Sequence, residues 1–154
     1  MAELRIIEDD LRGAQIAALL MLHLAEANAW SPPGSVHAMP LERLREDDVT
    51  LWSAWDEGNL AGCGALKALA PGHGEIKSMR VHPDYRRTGV GRAILEHLLA
   101  QARTRGYTRV SLETGRPEPF LPARTLYAAY GFAECLPFAH YVADDFSLCM
   151  SRAL

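Results

Sequence analysis

The chain has 154 residues, of which 49% are hydrophobic and 23% charged, and its formal net charge is -3. This composition is typical of a globular domain and excludes collagen-like, coiled-coil and intrinsically disordered classes. The length fits one domain over residues 1–154, and the slight negative charge argues against general nucleic-acid binding, which usually requires a basic domain.

The cysteines and the first residues carry no pattern of a metal site or a targeting segment. Cys63, Cys135 and Cys149 are widely spaced and form no CxxC pair, so we expect neither a zinc site nor a disulfide framework. Residues 1–10 lack the basic segment and apolar run of a secretory leader, and no apolar stretch reaches the ~18 residues of a membrane span. We therefore expect a cytoplasmic protein without metal or membrane contact.

The first third of the chain predicts a strand followed by helices. Residues 4–7 form a short apolar strand, and Asp9 or Asp10 is expected to cap the helix that follows. His23 lies on the apolar face of this helix, as a core or pocket-lining residue. Residues 31–35 are rich in proline, glycine and serine and predict a loop, before a second helix over residues 40–45.

The middle of the chain predicts consecutive strands joined by turns. These strands cover residues 49–55, 60–69 and 76–81. Gly62 and Gly64 lie inside the second of them and predict a bulge or a close backbone approach.

The last part predicts alternating helices and strands. Helices are expected over residues 89–105 and 122–130, and strands over 109–113, 132–135 and 146–151. Gly106 is the expected C-terminal glycine of the first of these helices. The whole order predicts a mixed sheet covered by helices, of α/β or α+β type.

A basic, glycine-containing loop carries the clearest chemical signal. Residues 77–124 hold ten basic and four acidic residues, a charge of +6, whereas the rest of the chain carries -9. Within this segment, Gly89 and Gly91 let backbone N–H groups turn inward at the start of a helix, which is a typical phosphate cradle. Arg86, Arg87 and Arg92 add charge-assisted contacts that suit a pyrophosphate.

Two common phosphate motifs do not fit this loop. A P-loop requires a lysine after the glycines, and none follows. A dinucleotide-binding loop requires a third glycine where Ile94 stands. Glu113 does follow the glycines by about the 20 residues that separate the acidic residue of such a site from its glycine-rich turn. The loop over residues 82–88, however, is too long for that tight turn.

Two motifs together resemble the GNAT superfamily of acyltransferases. Arg86-x-x-Gly89-x-Gly91 matches the Q/R-x-x-G-x-G/A signature of that superfamily, and residues 123–132 resemble its A-x-x-L-Y-x-x-x-G-F segment. Residues 111–115, with Phe120 and the Pro137-Phe138 pair, resemble the small bacterial YsnE-like group. The resemblance implies a mixed, mostly antiparallel sheet of about six or seven strands in which a splayed parallel pair holds coenzyme A. Many members carry a cofactor-contacting asparagine where this chain has Phe120.

The resemblance also implies an activity and a set of site residues. The implied activity is transfer of an acetyl group from acetyl-CoA to the amine of a small molecule, by direct attack in a ternary complex. Tyr127 is the implied general acid toward the thiolate, and Glu75 the implied base through ordered water, with Glu113 as a second candidate. The implied cofactor-binding residues are Met79, Val81, Arg86, Arg87, Thr88, Gly89, Val90, Gly91 and Arg92.

The acceptor side and the alternatives remain open at this point. In such proteins the first helices and the C-terminal strands usually build the acceptor pocket. The candidate lining residues are Trp30, His37, Phe138, His140 and Tyr141. Acidic flanks favour a cationic amine, whereas Arg80 or Arg116 would suit a carboxylate. A non-catalytic acyl-CoA-binding or sensor module is the alternative, and homodimers are common among such proteins.

Overall fold

One mixed sheet forms the centre of the computed structural model, which describes residues 3–32 and 39–154. Within these ranges seven strands pair in the order β1-β2-β3-β4-β5-β7-β6. The strands are β1 (Arg5–Glu8), β2 (Val49–Asp56), β3 (Asn59–Ala70), β4 (His73–Val81), β5 (Arg109–Gly115), β6 (Ala133–Glu134) and β7 (Ser147–Ala153). The helices are α1 (Ala14–Trp30), α2 (Leu41–Leu44), α3 (Val90–Thr104) and α4 (Leu121–Ala129). The predicted mixed sheet flanked by helices is confirmed.

Strands β4 and β5 run parallel, whereas the other neighbouring strands of the described sheet are antiparallel. Their ladder runs from His73 opposite Arg109 to Ile76 opposite Leu112. Beyond that pair β4 continues along β3, and β5 continues along β7. The two strands therefore separate, and a gap opens between residues 77–81 and residues 113–115.

A β-bulge lies in β4 at the start of this gap. Between the pairs Ala65–Lys77 and Cys63–Arg80, β4 has one residue more than β3. Ser78 has a φ of +52° there, in the left-handed region that non-glycine residues rarely occupy. Such bulges re-aim the side chains that follow and are frequent beside functional sites.

The helices cover the two faces of the sheet and enclose two clusters of apolar side chains. α3 and Tyr127 of α4 pack on one face, whereas α1 and α2 pack on the other. The predicted close approach in β3 is confirmed. A Cβ atom on Gly62 would lie 2.8 Å from Ile94 Cδ1, and one on Gly64 would lie 2.9 Å from Ile94 Cγ2. Glycine therefore brings α3 close to the sheet.

Two predicted boundaries were wrong. α1 begins at Ala14 after Gly13, not after Asp9 or Asp10, because these two carboxylates accept hydrogen bonds from the N–H groups of Leu11 and Arg12 instead. These local bonds form turns that compete with helix formation. β4 begins at His73, three residues earlier than predicted, because residues 73–75 extend the ladder with β5.

Candidate active site

The gap between β4 and β5 exposes strand edges that lack a neighbouring strand. On the side facing β5, the backbone of residues 77–81 has no strand partner among the described residues, since the parallel ladder ends at Ile76. Met79 and Val81 lie on this segment, and their side chains point toward α3, next to Gly91. An extended chain that carries amide groups can pair with such an edge as an added strand does.

The N-terminus of α3 lies after the end of β4 and is open to anions. Gly89 is the N-cap residue with a φ of +89°, and Ala93 N–H donates to its carbonyl at 3.1 Å. The N–H groups of Val90, Gly91 and Arg92 precede the first intrahelical donor and have no intrahelical acceptor. Among the described residues a Cβ atom on Gly89 would meet nothing within 4 Å, and unpaired N–H groups at a helix N-terminus can bind an anion such as a pyrophosphate.

The loop before α3 brings the predicted basic residues to this N-terminus. The side chains of Arg86, Arg87 and Arg92 are exposed, whereas Val90 is fully buried and offers only its backbone. Thr88 Oγ1 donates to the Tyr85 carbonyl. Tyr85 Oη in turn donates to Asp56 Oδ2 at 2.8 Å, which ties the loop to the end of β2.

Tyr127 is buried in the core cluster on the α3 face. Its ring is 7% exposed and stands edge-to-face against Phe132, with centroids 5.9 Å apart. Burial raises the pKa of its hydroxyl to about 12, so the phenol keeps its proton at neutral pH. The side chain therefore packs the helix and also holds a proton.

Glu75 is buried and hydrogen-bonded, although the sequence placed it at the start of its strand. It is 1% exposed and stands opposite Ser111 in the parallel ladder, one position before the gap. Tyr141 Oη donates to Glu75 Oε2 at 2.5 Å, and Lys77 Nζ lies 3.3 Å from the same oxygen. Lys77 Nζ also donates to Tyr141 Oη at 2.8 Å, which closes a triangle of polar groups.

Lys77 was not predicted as a partner of Glu75. The sequence does indicate this pairing, because residues i and i+2 of a strand lie on the same face of the sheet. Tyr141 was anticipated only as a pocket residue. Its contact with Glu75 depends on the path of residues 135–146, which no local pattern predicts.

Glu113 lies at the mouth of the gap, one residue beyond the last β4–β5 pair. Ser147 Oγ donates to its Oε2 at 2.8 Å. Burial raises the pKa of this carboxyl to about 7, whereas Ser147 and Lys77 act in the opposite direction. A carboxyl group with such a pKa can accept a proton near neutral pH.

An aromatic cluster stands where the resemblance placed a cofactor-contacting asparagine. Phe120 lies against Gly115, so closely that a Cβ atom there would be 2.5 Å from Phe120 Cδ2. Its ring is edge-to-face with Trp30 and with Phe146, at centroid distances of 5.8 and 5.5 Å. Phe120 therefore joins α1 to the ends of β5 and β7.

Three of the residues predicted to line the acceptor pocket lie together, because the Tyr141 ring is adjacent to both Phe138 and His140. Phe138 packs against Tyr141, with ring centroids 5.0 Å apart, and His140 is exposed. His37 lies outside the described residues. The Nδ1 atom of His82 accepts a hydrogen bond from Asp84 N–H and caps a turn.

Several basic residues of the +6 segment have structural contacts. Arg124 Nη1 donates to the carbonyls of Gly115, Arg116 and Pro117. Arg116 donates to the Ser147 carbonyl and to Glu134 Oε1, and Arg109 donates to Ser151 Oγ. These three arginines are therefore engaged within the fold, whereas the arginines of the loop and first turn of α3 are exposed.

None of the cysteines has the properties of a nucleophile. Burial raises the pKa of Cys63 to about 12 and that of Cys149 to about 11. It raises the pKa of Cys135 as well. All three thiols therefore stay protonated at neutral pH, whereas a nucleophilic cysteine reacts as the thiolate.

The described residues contain neither a cluster suited to a metal ion nor a helix suited to a membrane. Across residues 3–32 and 39–154, no group of three His, Cys, Asp or Glu side chains is placed to hold a metal ion. In the same ranges, the helices are too short or too polar to cross a bilayer.

Comparison with known proteins gives concordant matches. Residues 17–132 match the model of the Acetyltransferase (GNAT) family. The chain is 49% identical over 146 residues to the Uncharacterized N-acetyltransferase YsnE of Bacillus subtilis (strain 168), with 95% of this chain and 97% of that protein covered. It is 45% identical to the Uncharacterized N-acetyltransferase YedL of Escherichia coli (strain K12), with 95% and 92% covered. A GNAT family acetyltransferase from Elizabethkingia anophelis, solved with acetyl-CoA bound, has a similar fold with a TM-score of 0.73 at 17% identity and full coverage of both chains.

Proposed function

Since this chain belongs to the GNAT acetyltransferase family and is an acyltransferase enzyme, we propose that it moves an acetyl group from acetyl-CoA to the amine of a small molecule. The observation that carries this proposal is the gap between β4 and β5 beside the N-terminus of α3. The gap offers an unpaired strand edge for an amide-containing arm, and the helix offers N–H groups for a pyrophosphate. Coenzyme A contains both groups, and the Elizabethkingia anophelis neighbour holds acetyl-CoA on the same fold.

The cradle residues hold the donor in this proposal. The backbone of Met79 and Val81 pairs with the pantetheine arm. The loop and first turn of α3, from Arg86 through Arg87, Thr88, Gly89, Val90, Gly91 and Arg92, bind the pyrophosphate. A backbone N–H near Met79, re-aimed by the bulge at Ser78, polarises the thioester carbonyl.

Proton transfer in this proposal involves Glu75 and Tyr127. The amine nitrogen attacks the thioester carbonyl carbon, a C–N bond forms and the C–S bond breaks. The ammonium proton passes through water to the carboxylate of Glu75, whose negative charge is balanced by Lys77 at 3.3 Å. The Tyr127 hydroxyl gives its proton to the leaving thiolate, for which a phenol that stays protonated at neutral pH is suited.

Glu113 is the second candidate for the base. Its pKa of about 7 and its place at the mouth of the gap favour it. Glu75 is the closer match to the family position, and it is held in place by two donors. We assign the base to Glu75, and replacing each carboxylate in turn by an amide distinguishes the two candidates.

Direct attack fits the chemistry of the thiols. A covalent acetyl-enzyme would require an activated nucleophile, and the cysteines are protonated at neutral pH. The acetyl group then passes straight from sulfur to nitrogen, and the enzyme carries no acetyl group at any stage.

Release of free thiol from acetyl-CoA tests the proposal. The purified protein is mixed with acetyl-CoA and a panel of small amines, and thiol is followed with a chromogenic disulfide. We expect release that depends on the amine and on the enzyme concentration. Tight acetyl-CoA binding without thiol release from any amine would favour the alternative, a non-catalytic acyl-CoA sensor.

A further inference from the structure

A buried cluster of polar groups lies on the α1 face of the sheet, beside the gap. Arg80 of β4 points away from α3, since its neighbours Met79 and Val81 point toward α3. Its Nη1 lies 2.6 Å from Glu26 Oε2 of α1, and its side chain is only 10% exposed. His23, one turn earlier in α1, is half-buried nearby. Burial lowers the pKa of its imidazole to about 4, and the charge of Arg80 acts in the same direction.

The guanidinium of Arg80 has an unused edge. Its Nε and Nη2 atoms are buried and have no hydrogen-bond partner among the residues that the structure describes. Buried N–H donors of a charged group are costly to leave unpaired, so proteins almost always give them a partner. Glu26 engages only Nη1, which leaves the other two nitrogens available to a ligand.

This free edge has the geometry of a carboxylate receptor. Nε–H and one Nη2–H point in the same direction, and a carboxylate accepts two such parallel hydrogen bonds with its two oxygens. The ligand that suits this edge best carries a single negative charge. The carboxylate of Glu26 already lies beside the guanidinium and would repel a dianion. A monoanionic carboxylate satisfies both conditions.

The position of Arg80 connects this edge to the transfer site. Arg80 follows the bulge at Ser78 by two residues and lies on the segment of β4 that borders the gap. It faces α1, on the side opposite to the α3 helix that forms the donor cradle. A group bound there therefore approaches the gap from the face not occupied by the donor-binding helix.

We propose that the free Nε–Nη2 edge of Arg80 binds the carboxylate of the acceptor, which makes the acceptor an amine that carries a carboxylate, with amino acids as the simplest class. This inference rests on the proposed acetyltransferase function. Arg116, the other arginine that suits a carboxylate by sequence, is excluded from this role because its Nε and Nη2 bind Ser147 and Glu134.

A phosphate group of acetyl-CoA is the alternative ligand for the free edge of Arg80, because it is also an anion that accepts hydrogen bonds. Arg86 of the cradle loop lies near enough to Glu26 that its charge adds to the effect of Arg80 in lowering the pKa of that carboxyl. The experiment must therefore separate an acceptor carboxylate from a phosphate of the donor.

The test compares amino acids with the matched amines that lack the carboxylate, such as phenylalanine with phenethylamine and lysine with cadaverine. The kcat/KM ratio of each pair is measured by thiol release for the wild-type protein, R80Q, R80K and R116Q. The KM for acetyl-CoA and the thermal midpoint are recorded for each. We expect the wild-type protein to favour at least one amino acid over its amine by about 100-fold, as a site built for a polar group rejects the analogue without it.

The variants test whether Arg80 causes the preference for the amino acid over its matched amine. R80Q should reduce the ratio by at least about 10-fold through KM for the amino acid, because the bidentate contact is lost. R80K should not restore it, since an ammonium lacks the planar fork, whereas R116Q should keep it. If R80Q folds poorly, R80K keeps the positive charge beside Glu26 and carries the same test, and an unchanged ratio in the folded variant contradicts the role of Arg80.

Three outcomes overturn the inference. Wild-type protein that acetylates amines as well as the matched amino acids shows that no carboxylate is recognised, and leaves the acetyltransferase proposal intact. An R80Q effect on KM for acetyl-CoA alone assigns the edge to the donor. Absence of thiol release with every acceptor overturns both this inference and the proposed function.

Discussion

Ile76 and Leu112 form the last pair of the parallel ladder between β4 and β5, and the candidate site begins directly beyond them. Glu75 precedes this point by one residue, and Glu113 follows it by one. β4 remains paired with β3, and β5 remains paired with β7. The gap therefore opens without breaking the pairing of either strand with its other neighbour. The separation of two neighbouring strands, one of them bulged at Ser78, thus opens a gap inside a continuous sheet.

Replacing Tyr127 with phenylalanine tests the general acid. Y127F removes only the hydroxyl and keeps the ring that packs against Phe132. We expect kcat to fall by about 100-fold, in the usual range for loss of a general acid. Acetyl-CoA affinity, measured by titration calorimetry, should change little. Unchanged kcat would remove Tyr127 from this role.

Replacing Gly89 with alanine tests the pyrophosphate cradle. Gly89 has a φ of +89°, and alanine there is strained by about 1–2 kcal/mol. We expect G89A to weaken acetyl-CoA binding by about 10-fold or more, because the Cβ atom and the strained turn disturb the N–H groups that face the ligand.

Gly106 provides a matched control for this experiment. It lies just beyond the other end of α3 with a φ of +79°, and a Cβ atom there would also meet nothing within 4 Å. G106A should therefore lose a similar amount of stability by urea denaturation and keep its acetyl-CoA affinity. Equal affinities in the two variants would contradict the cradle.

Glutamine substitutions separate the two candidate bases. We expect E75Q to lower kcat by about 100-fold throughout the range from about pH 6 to about pH 9, because the proton acceptor is gone. E113Q should retain most of the activity. If instead E113Q loses activity and wild-type kcat rises with an apparent pKa near 7, the base is Glu113.

The raised pKa of Glu113 also predicts a pH-dependent stability. Burial raises the pKa of this carboxyl from 4.5 to about 7 in the folded protein, so folding favours the protonated form. Its contribution to stability is therefore complete below pH 4.5 and is lost as the pH rises through 7. Relative to the wild-type protein, E113Q should gain about 3 kcal/mol between about pH 4 and about pH 9.

Urea denaturation of both proteins at the two pH values measures this difference. The comparison at each pH cancels the opposite effect of His23, whose lowered pKa makes the folded protein less stable as the pH falls from 6.5 to about 4. A pH-independent difference in unfolding free energy would show that Glu113 is not desolvated in the folded protein.

The sequence predicts the scaffold of the site better than its polar network. The loop from Arg86 to Arg92 and the glycines of β3 follow from local conformational rules, because phosphate cradles and close helix packing require glycine at fixed positions. The boundary of α1 was mispredicted, since Asp9 and Asp10 bind nearer N–H groups than those of the helix.

The contacts of Glu75 and Arg80 could not be predicted from local patterns. Tyr141 reaches Glu75 across 66 residues of sequence, and Glu26 meets Arg80 only because α1 packs on β4. Such pairs depend on tertiary packing. The sequence left Arg80 and Arg116 equal as carboxylate partners, and only their observed hydrogen bonds distinguish them.

Direct transfer of the acetyl group in the gap is the central claim, and a single-turnover experiment tests it most directly. The enzyme is mixed with acetyl-CoA carrying a deuterated acetyl group and an accepted amine, and both protein and products are followed by mass spectrometry. We expect the deuterated amide to appear with the free thiol while the protein mass stays unchanged at every time point. A deuterated acetyl group on the protein before the amide forms, or no acetylated amine at all, would contradict the account.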